Sequence, residues 1–142
     1  MAIRGFNGPN RFLSNFYAVE FDFEGMSWPS AEHAYQAMKT LDGNLRERIQ
    51  ALDTPGKAKR LGKSIQLRNN WENIKRDKML QILRAKFAEG TLMAAKLLAT
   101  EDEQLIEENY WGDTYWGVCR GVGENHLGRI LMLVRAELRD KK

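Results

Sequence analysis

One cysteine, two histidines and three prolines are all that 142 residues hold of those types, and each shortage narrows the chemistry. Cys119 has no second thiol for an internal disulfide. With His33 and His126 it falls short of the usual zinc ligand sets, so no metal and no cofactor is expected, although Asp, Glu and water leave an oxygen-bound magnesium open. No run approaches the ~18 apolar residues of a membrane helix, and Met1-Ala2-Ile3-Arg4-Gly5 lacks the apolar core of a secretory signal; a cytoplasmic protein with no membrane partner is expected. Internal repeats, low-complexity tracts and linkers are missing too, which points to one domain over 1–142. A hydrophobic content of 43% and a charged content of 29% exclude disordered and collagen-like classes.

The charge is unevenly placed. Net charge is +3, yet Thr54 to Lys78 carries Lys57, Lys59, Arg60, Lys63, Arg68, Lys75, Arg76 and Lys78 against Glu72 and Asp77. Such a block suits the phosphates of a nucleotide or a nucleic acid. Solvated helix faces explain it equally well, because Trp71 is the one aromatic among them.

Ala18-Val19-Glu20-Phe21-Asp22-Phe23 alternates apolar and acidic residues, Glu24-Gly25 turns the chain and Met26-Ser27-Trp28 returns, which reads as a hairpin. Pro29 and Ser30 open the first helix, with the Ser30 hydroxyl as N-cap. Helices are expected over 43–52, over 55–64 behind Pro55, and over 71–88 with Met79, Ile82, Leu83 and Phe87 on the apolar side. Another follows Gly90-Thr91, and Leu127, Ile130, Leu131, Val134 and Leu138 mark the last. Residues 105–118 read as irregular or short extended chain. The fold class is therefore α+β, mainly α-helical, with a short N-terminal hairpin.

Three clusters carry chemistry. Within Ser30-Ala31-Glu32-His33-Ala34-Tyr35-Gln36-Ala37-Met38-Lys39, helical spacing gathers Glu32, Tyr35, Gln36 and Lys39 into roughly a third of the circle, with His33 beside them. Ala31, Ala34, Ala37, Met38 and Leu41 lie opposite, as small residues facing a core would. Glu107 to Gly117 holds two Trp, two Tyr, Asn109 and Asp113; it suits a wall that stacks on a base and binds a sugar, or an aromatic minicore under a loop. Asn10 to Tyr17 sets Ser14 and Asn15 among aromatics, as a site or as a turn. Gly117, Gly121 and Gly123 before the last helix fit a glycine-rich turn better than a phosphate cradle. Cys119 reads as a buried structural thiol and His126 as a surface or capping residue.

Further matches recur in order along nearly the whole chain. Arg11-Phe12-Leu13-Ser14-Asn15-Phe16 comes first, then Trp28-Pro29-Ser30-Ala31-Glu32-His33-Ala34-Tyr35-Gln36-Ala37 with Lys39, then Ala58 with Leu61-Gly62. Trp71, Lys75, Met79 and Lys86-Phe87 continue it, followed by Leu105-Ile106-Glu107, Asp113 and Trp116-Gly117, and by Gly123, Asn125, Leu127-Gly128, Leu131-Met132 and Arg135. In this order they resemble the NADAR, or YbiA-like, family. The resemblance implies a compact, mostly helical YbiA-like domain and an N-glycosidase, in which water cleaves the bond between a ribose anomeric carbon and a nitrogen. Implied substrates are phosphorylated ribosyl compounds, either riboflavin-pathway ribosylamino-pyrimidine phosphates or ADP-ribose on guanine, including ADP-ribosylated nucleic acid.

The family's key carboxylate falls on Glu32, and Asp113 with Trp116 falls on its second site motif. On this reading Glu32 stabilises the ribosyl cation and activates water, while Asp113 binds ribose hydroxyls or shares the acid-base work. Phe16, Tyr35, Trp116 and Gly117 shape the substrate pocket, Asn15 and Gln36 fix hydrogen bonds, and His33 orients the site. Lys39 binds phosphate, holds Glu32 ionised, or attacks the anomeric carbon. The alternative is a non-catalytic module that binds ADP-ribose or NAD.

Overall fold

Residues 1–141 are described by a computed structural model, in which six α-helices, one 3-10 helix and six short strands give an α+β, mainly helical fold. The chain runs through β1 (Ala2–Arg4), a 3-10 helix (Gly8–Leu13), β2 (Phe21–Phe23), β3 (Met26–Trp28), α1 (Ala31–Ala37), α2 (Gly43–Gln50), α3 (Pro55–Gly62) and α4 (Trp71–Lys86). It continues through α5 (Leu92–Leu98), β4 (Gln104–Ile106), β5 (Glu108–Asn109), β6 (Val118–Cys119) and α6 (His126–Asp140).

Contacts separate the described residues into two compact units, one of residues 15–86 and one of residues 1–14 with 87 onwards. In the first, the hairpin forms because Glu24 (φ 49°) and Gly25 (φ 78°) both take left-handed backbone, the pair a two-residue turn needs. It registers Phe21 opposite Trp28. Trp28 is fully buried and its indole N–H donates to Phe23 O at 2.9 Å. The alternation that begins at Ala18 becomes strand only from Phe21. Side-chain caps start the next three helices: Ser30 Oγ accepts from His33 N, Asp42 Oδ1 from Asn44 N and Leu45 N, and Thr54 Oγ1 from Lys57 N. α1 packs against α2, α3 and α4. Its Ala31, Ala34 and Ala37, with Met38, Ile49, Ala58, Met79, Ile82 and Leu83, are fully buried; each large apolar side chain so placed is worth about 1.5–3 kcal/mol.

In the other unit, β1 pairs in parallel with β4, Ile3 opposite Leu105, and β5 pairs in parallel with β6. α6 packs on β4 and α5, with Leu97, Leu105 and Leu131 at its core. Buried Arg135 donates from Nη1 to Thr100 Oγ1 at 2.8 Å. Among the described residues no helix is long and apolar enough to cross a membrane.

Candidate active site

α1 is buried all the way round, the polar residues included. The expected division into a core face and an open face is thus replaced by a helix enclosed on every side, with Glu32 7% and Gln36 4% exposed. Leu41, expected on the core side, is exposed, because the helix ends at Ala37 and the chain has left its spiral by then. Glu32 sits in the first turn, where the helix dipole favours an ionised carboxylate. Its backbone N–H donates to Asn15 O at 3.0 Å, and its Oε2 accepts from Gln36 Nε2 at 2.6 Å. That bond, one turn along the same helix, holds one carboxylate oxygen in a fixed place.

His33 is committed elsewhere. Nε2 lies 2.9 Å from Leu52 O, which only accepts, so Nε2 carries the proton; Nδ1, 2.6 Å from Ser30 Oγ, accepts the hydroxyl proton, and Ser30 Oγ in turn accepts the His33 backbone N–H. Burial lowers the imidazole pKa, with the Leu52 bond opposing. His33 is therefore a neutral brace between the helix cap and the end of α2.

Lys39 lies past the helix end, with Nζ 5.7 Å from the Tyr35 ring centroid. Burial lowers its pKa; the Glu32 carboxylate pulls the other way, Lys75 and Lys59 lower it further and Glu72 raises it. Tyr35 also tilts against Trp71, centroids 5.4 Å apart. Lys59 lies 5.8 Å over the Phe16 ring. Asn15 is buried, its Nδ2 3.6 Å from Met79 Sδ, and its Oδ1 has no hydrogen-bond partner among the described residues. One unit thus brings together Asn15, Phe16, Glu32, Tyr35, Gln36 and Lys39, with His33 bracing the helix that carries Glu32.

The other expected residues belong to the second unit. Asp113 closes a loop: its Oδ1 accepts from Tyr115 N at 3.1 Å and Trp116 N at 2.9 Å, while Asn109 exchanges two side-chain bonds with the Asp113 backbone. Trp116 meets Tyr115 edge-on at 4.9 Å, and Tyr115 tilts against half-buried His126 with centroids 4.5 Å apart. Gly117 is buried, and the position needs a glycine because a Cβ there would overlap Glu107 O and come within 2.7 Å of Asn109 Nδ2. Gly121 and Gly123 take positive φ, as a turn requires. Tyr110 and Trp111 are exposed. Cys119 is buried.

The basic block is partly spent within the chain: Lys57 pairs with Asp53, Lys75 with Glu72 and Lys78 with Glu24, and Arg68 Nη1 donates to Met38 O. Two residues quoted only in the ordered matches gain weight in three dimensions. Gly62 lies against the Gln36 carboxamide, and Lys86 is 2% exposed, 5.9 Å from the Tyr17 ring centroid, with burial pushing its pKa down to about 7. Neither follows from local pattern, since a helix-end glycine and a helix-end lysine are both ordinary.

Comparison with known proteins places these residues in a lineage. A model of the NADAR domain matches residues 5–139. The chain is 42% identical over 133 residues to the N-glycosidase YbiA of Escherichia coli, covering 92% of this chain and 82% of that protein. It is also 42% identical over 132 residues to a riboflavin biosynthesis protein of Vibrio vulnificus, covering 91% of this chain and 36% of that one. The NMR structure of E. coli YbiA superposes with a TM-score of 0.88 at 38% identity, covering 99% of this chain and 86% of that one.

Proposed function

The chain belongs to the NADAR domain family, and on that premise we propose that it hydrolyses the bond between a ribose anomeric carbon and a base or amine nitrogen in a phosphorylated ribosyl substrate. The observation that carries this reading is Glu32: a buried carboxylate in the first turn of α1, bonded by Gln36 at 2.6 Å and coupled electrostatically to Lys39. As the carbon–nitrogen bond breaks, positive charge builds on the ribose, and an ionised carboxylate beside it stabilises that charge. Glu32 takes a proton from the attacking water as the water oxygen bonds to the anomeric carbon; the carbon–nitrogen bond pair leaves with the nitrogen, which takes up that proton from Glu32, so the products are a free ribose hydroxyl, a free base and the regenerated carboxylate.

Asn15 Oδ1, a buried acceptor with no hydrogen-bond partner among the described residues, is suited to a ribose hydroxyl, since buried acceptors are seldom left unsatisfied. Lys39 holds the substrate phosphate and keeps Glu32 ionised. Phe16 and Tyr35 give apolar contact to the sugar and base. The resemblance assigns Asp113 and Trp116 to a second motif, and within its own unit Asp113 Oδ1 is engaged in shaping the loop that carries Trp116. Ribosylamino-pyrimidine phosphates are the favoured substrate class, because relatives named as N-glycosidase and as riboflavin biosynthesis proteins match over nine-tenths of this chain.

Mass spectrometry of base released from a ribosylamino-pyrimidine phosphate and from guanine-linked ADP-ribose tests the reading. Turnover of the first is expected, and Glu32→Gln is expected to lower it at least ~100-fold while leaving the fold intact. A folded Glu32→Gln protein with full turnover would remove Glu32 from the mechanism.

A further inference from the structure

Gly62 closes α3 where that helix packs on α1. A Cβ built there would overlap Gln36 Oε1 and lie 2.5 Å from Gln36 Cδ and 3.2 Å from its Cγ. Gly62 lies outside the positive-φ glycines, so its backbone accepts any residue and the lack of a side chain matters for space alone. The space is filled by the Gln36 carboxamide. Its two ends face different neighbours: Nε2 donates to Glu32 Oε2 at 2.6 Å, while Oε1 is buried with no hydrogen-bond partner among the described residues, set against the glycine. Turning the amide over would place its oxygen on an ionised carboxylate, so the donor end is selected electrostatically. α3 then limits how far the amide can move away.

We propose that Gly62 is a positioning residue for the Glu32 carboxylate, acting through the Gln36 carboxamide, a role that rests on Glu32 being the reacting carboxylate. Three groups joined by two contacts form one linkage: the bare backbone of α3, the amide on the last turn of α1, and the carboxylate on its first turn. Any side chain at 62 displaces the amide, and the amide's displacement releases the carboxylate from the orientation in which it meets the ribose. Helix propensity alone predicts the reverse, since alanine is a better helix former than glycine. A glycine kept only for close packing would lose stability with the kcat of the folded fraction unchanged, whereas a positioning glycine loses catalysis with the fold intact.

The test is a double-mutant cycle on release of the aminopyrimidine from a ribosylamino-pyrimidine phosphate, with kcat, KM and thermal midpoint measured for the parent, Gly62→Ala, Gln36→Ala and the double variant. Gly62→Ala and Gln36→Ala are each expected to lower kcat by about tenfold, the scale of one lost charge-assisted hydrogen bond, with KM within about twofold. The double variant should be no slower than Gln36→Ala, because no amide remains to be displaced. Gln36→Ala empties space where Gly62→Ala fills it, so it reports on the linkage even if the larger side chain melts α3. Full kcat in Gly62→Ala, losses that multiply in the double variant, or a fall in kcat that only tracks the unfolded fraction would each overturn the proposal. Glu32→Gln run alongside separates the two levels: an inactive Glu32→Gln beside a fully active Gly62→Ala rejects the positioning role alone, and an active Glu32→Gln rejects both.

Discussion

At Lys86 the folded chain holds an amine where water cannot reach it, and burial brings its pKa from near 10.5 to about 7. The folded protein therefore releases this proton near pH 7, while the unfolded chain keeps it until about 10.5. Between those values the unfolded state binds more protons, so stability rises with pH; below pH 7 both states are charged at Lys86 and the cost of burial is greatest. Lys86→Met is expected to stabilise the protein most at pH 7 and below. Its advantage should shrink by up to about 1.4 kcal/mol per pH unit toward pH 10, measured by urea denaturation of parent and variant across that range. A gain that stays constant with pH would show that the amine titrates normally. His33 carries the same sign more weakly: burial lowers its pKa, so its neutral brace is destabilised as pH falls below the ordinary histidine range.

Among the elements, α1 is the one whose local chemistry can be separated from its packing. Ser30 both caps the helix through the His33 N–H and donates to His33 Nδ1. Ser30→Ala removes both bonds and is expected to cost about 1–2 kcal/mol in chemical denaturation; no loss would mean the helix is held by packing alone. That cap was legible in the sequence because a cap is a contact between near neighbours, and so was the Glu24-Gly25 turn. The enclosure of the polar side of α1 was not. A helical wheel sorts residues by angle and cannot report that α2, α3 and α4 surround the helix. The same limit hid Gly62, which meets Gln36 across 26 positions of sequence. Asp113 was legible as a polar residue among aromatics, yet its bonds to Tyr115 N and Trp116 N belong to a turn whose shape follows from Asn109.

For the molecule as a whole, turn signals and helical periodicity indicated the fold class, and ordered short matches carried the family. What neither revealed is how differently the two contact units use the chain. Residues 15–86 form a continuous stretch, whereas the other unit joins the first fourteen residues to everything from Phe87 onward. Its β1–β4 ladder pairs Ala2 with Gln104, and contacts of such sequence separation form slowly because the intervening loop must close first. Pulse-labelled hydrogen exchange during refolding is expected to protect the Met79, Ile82 and Leu83 amides of α4 before that of Leu105 in β4; simultaneous protection would contradict this order. The same discontinuity bears on synthesis, where the amino-terminal end emerges first. By the time Lys86 leaves the ribosome, every residue of the unit that carries Glu32 exists, and the helix around the carboxylate can close. The strand at Ala2–Arg4, made earliest, has to wait for a partner translated about a hundred residues later.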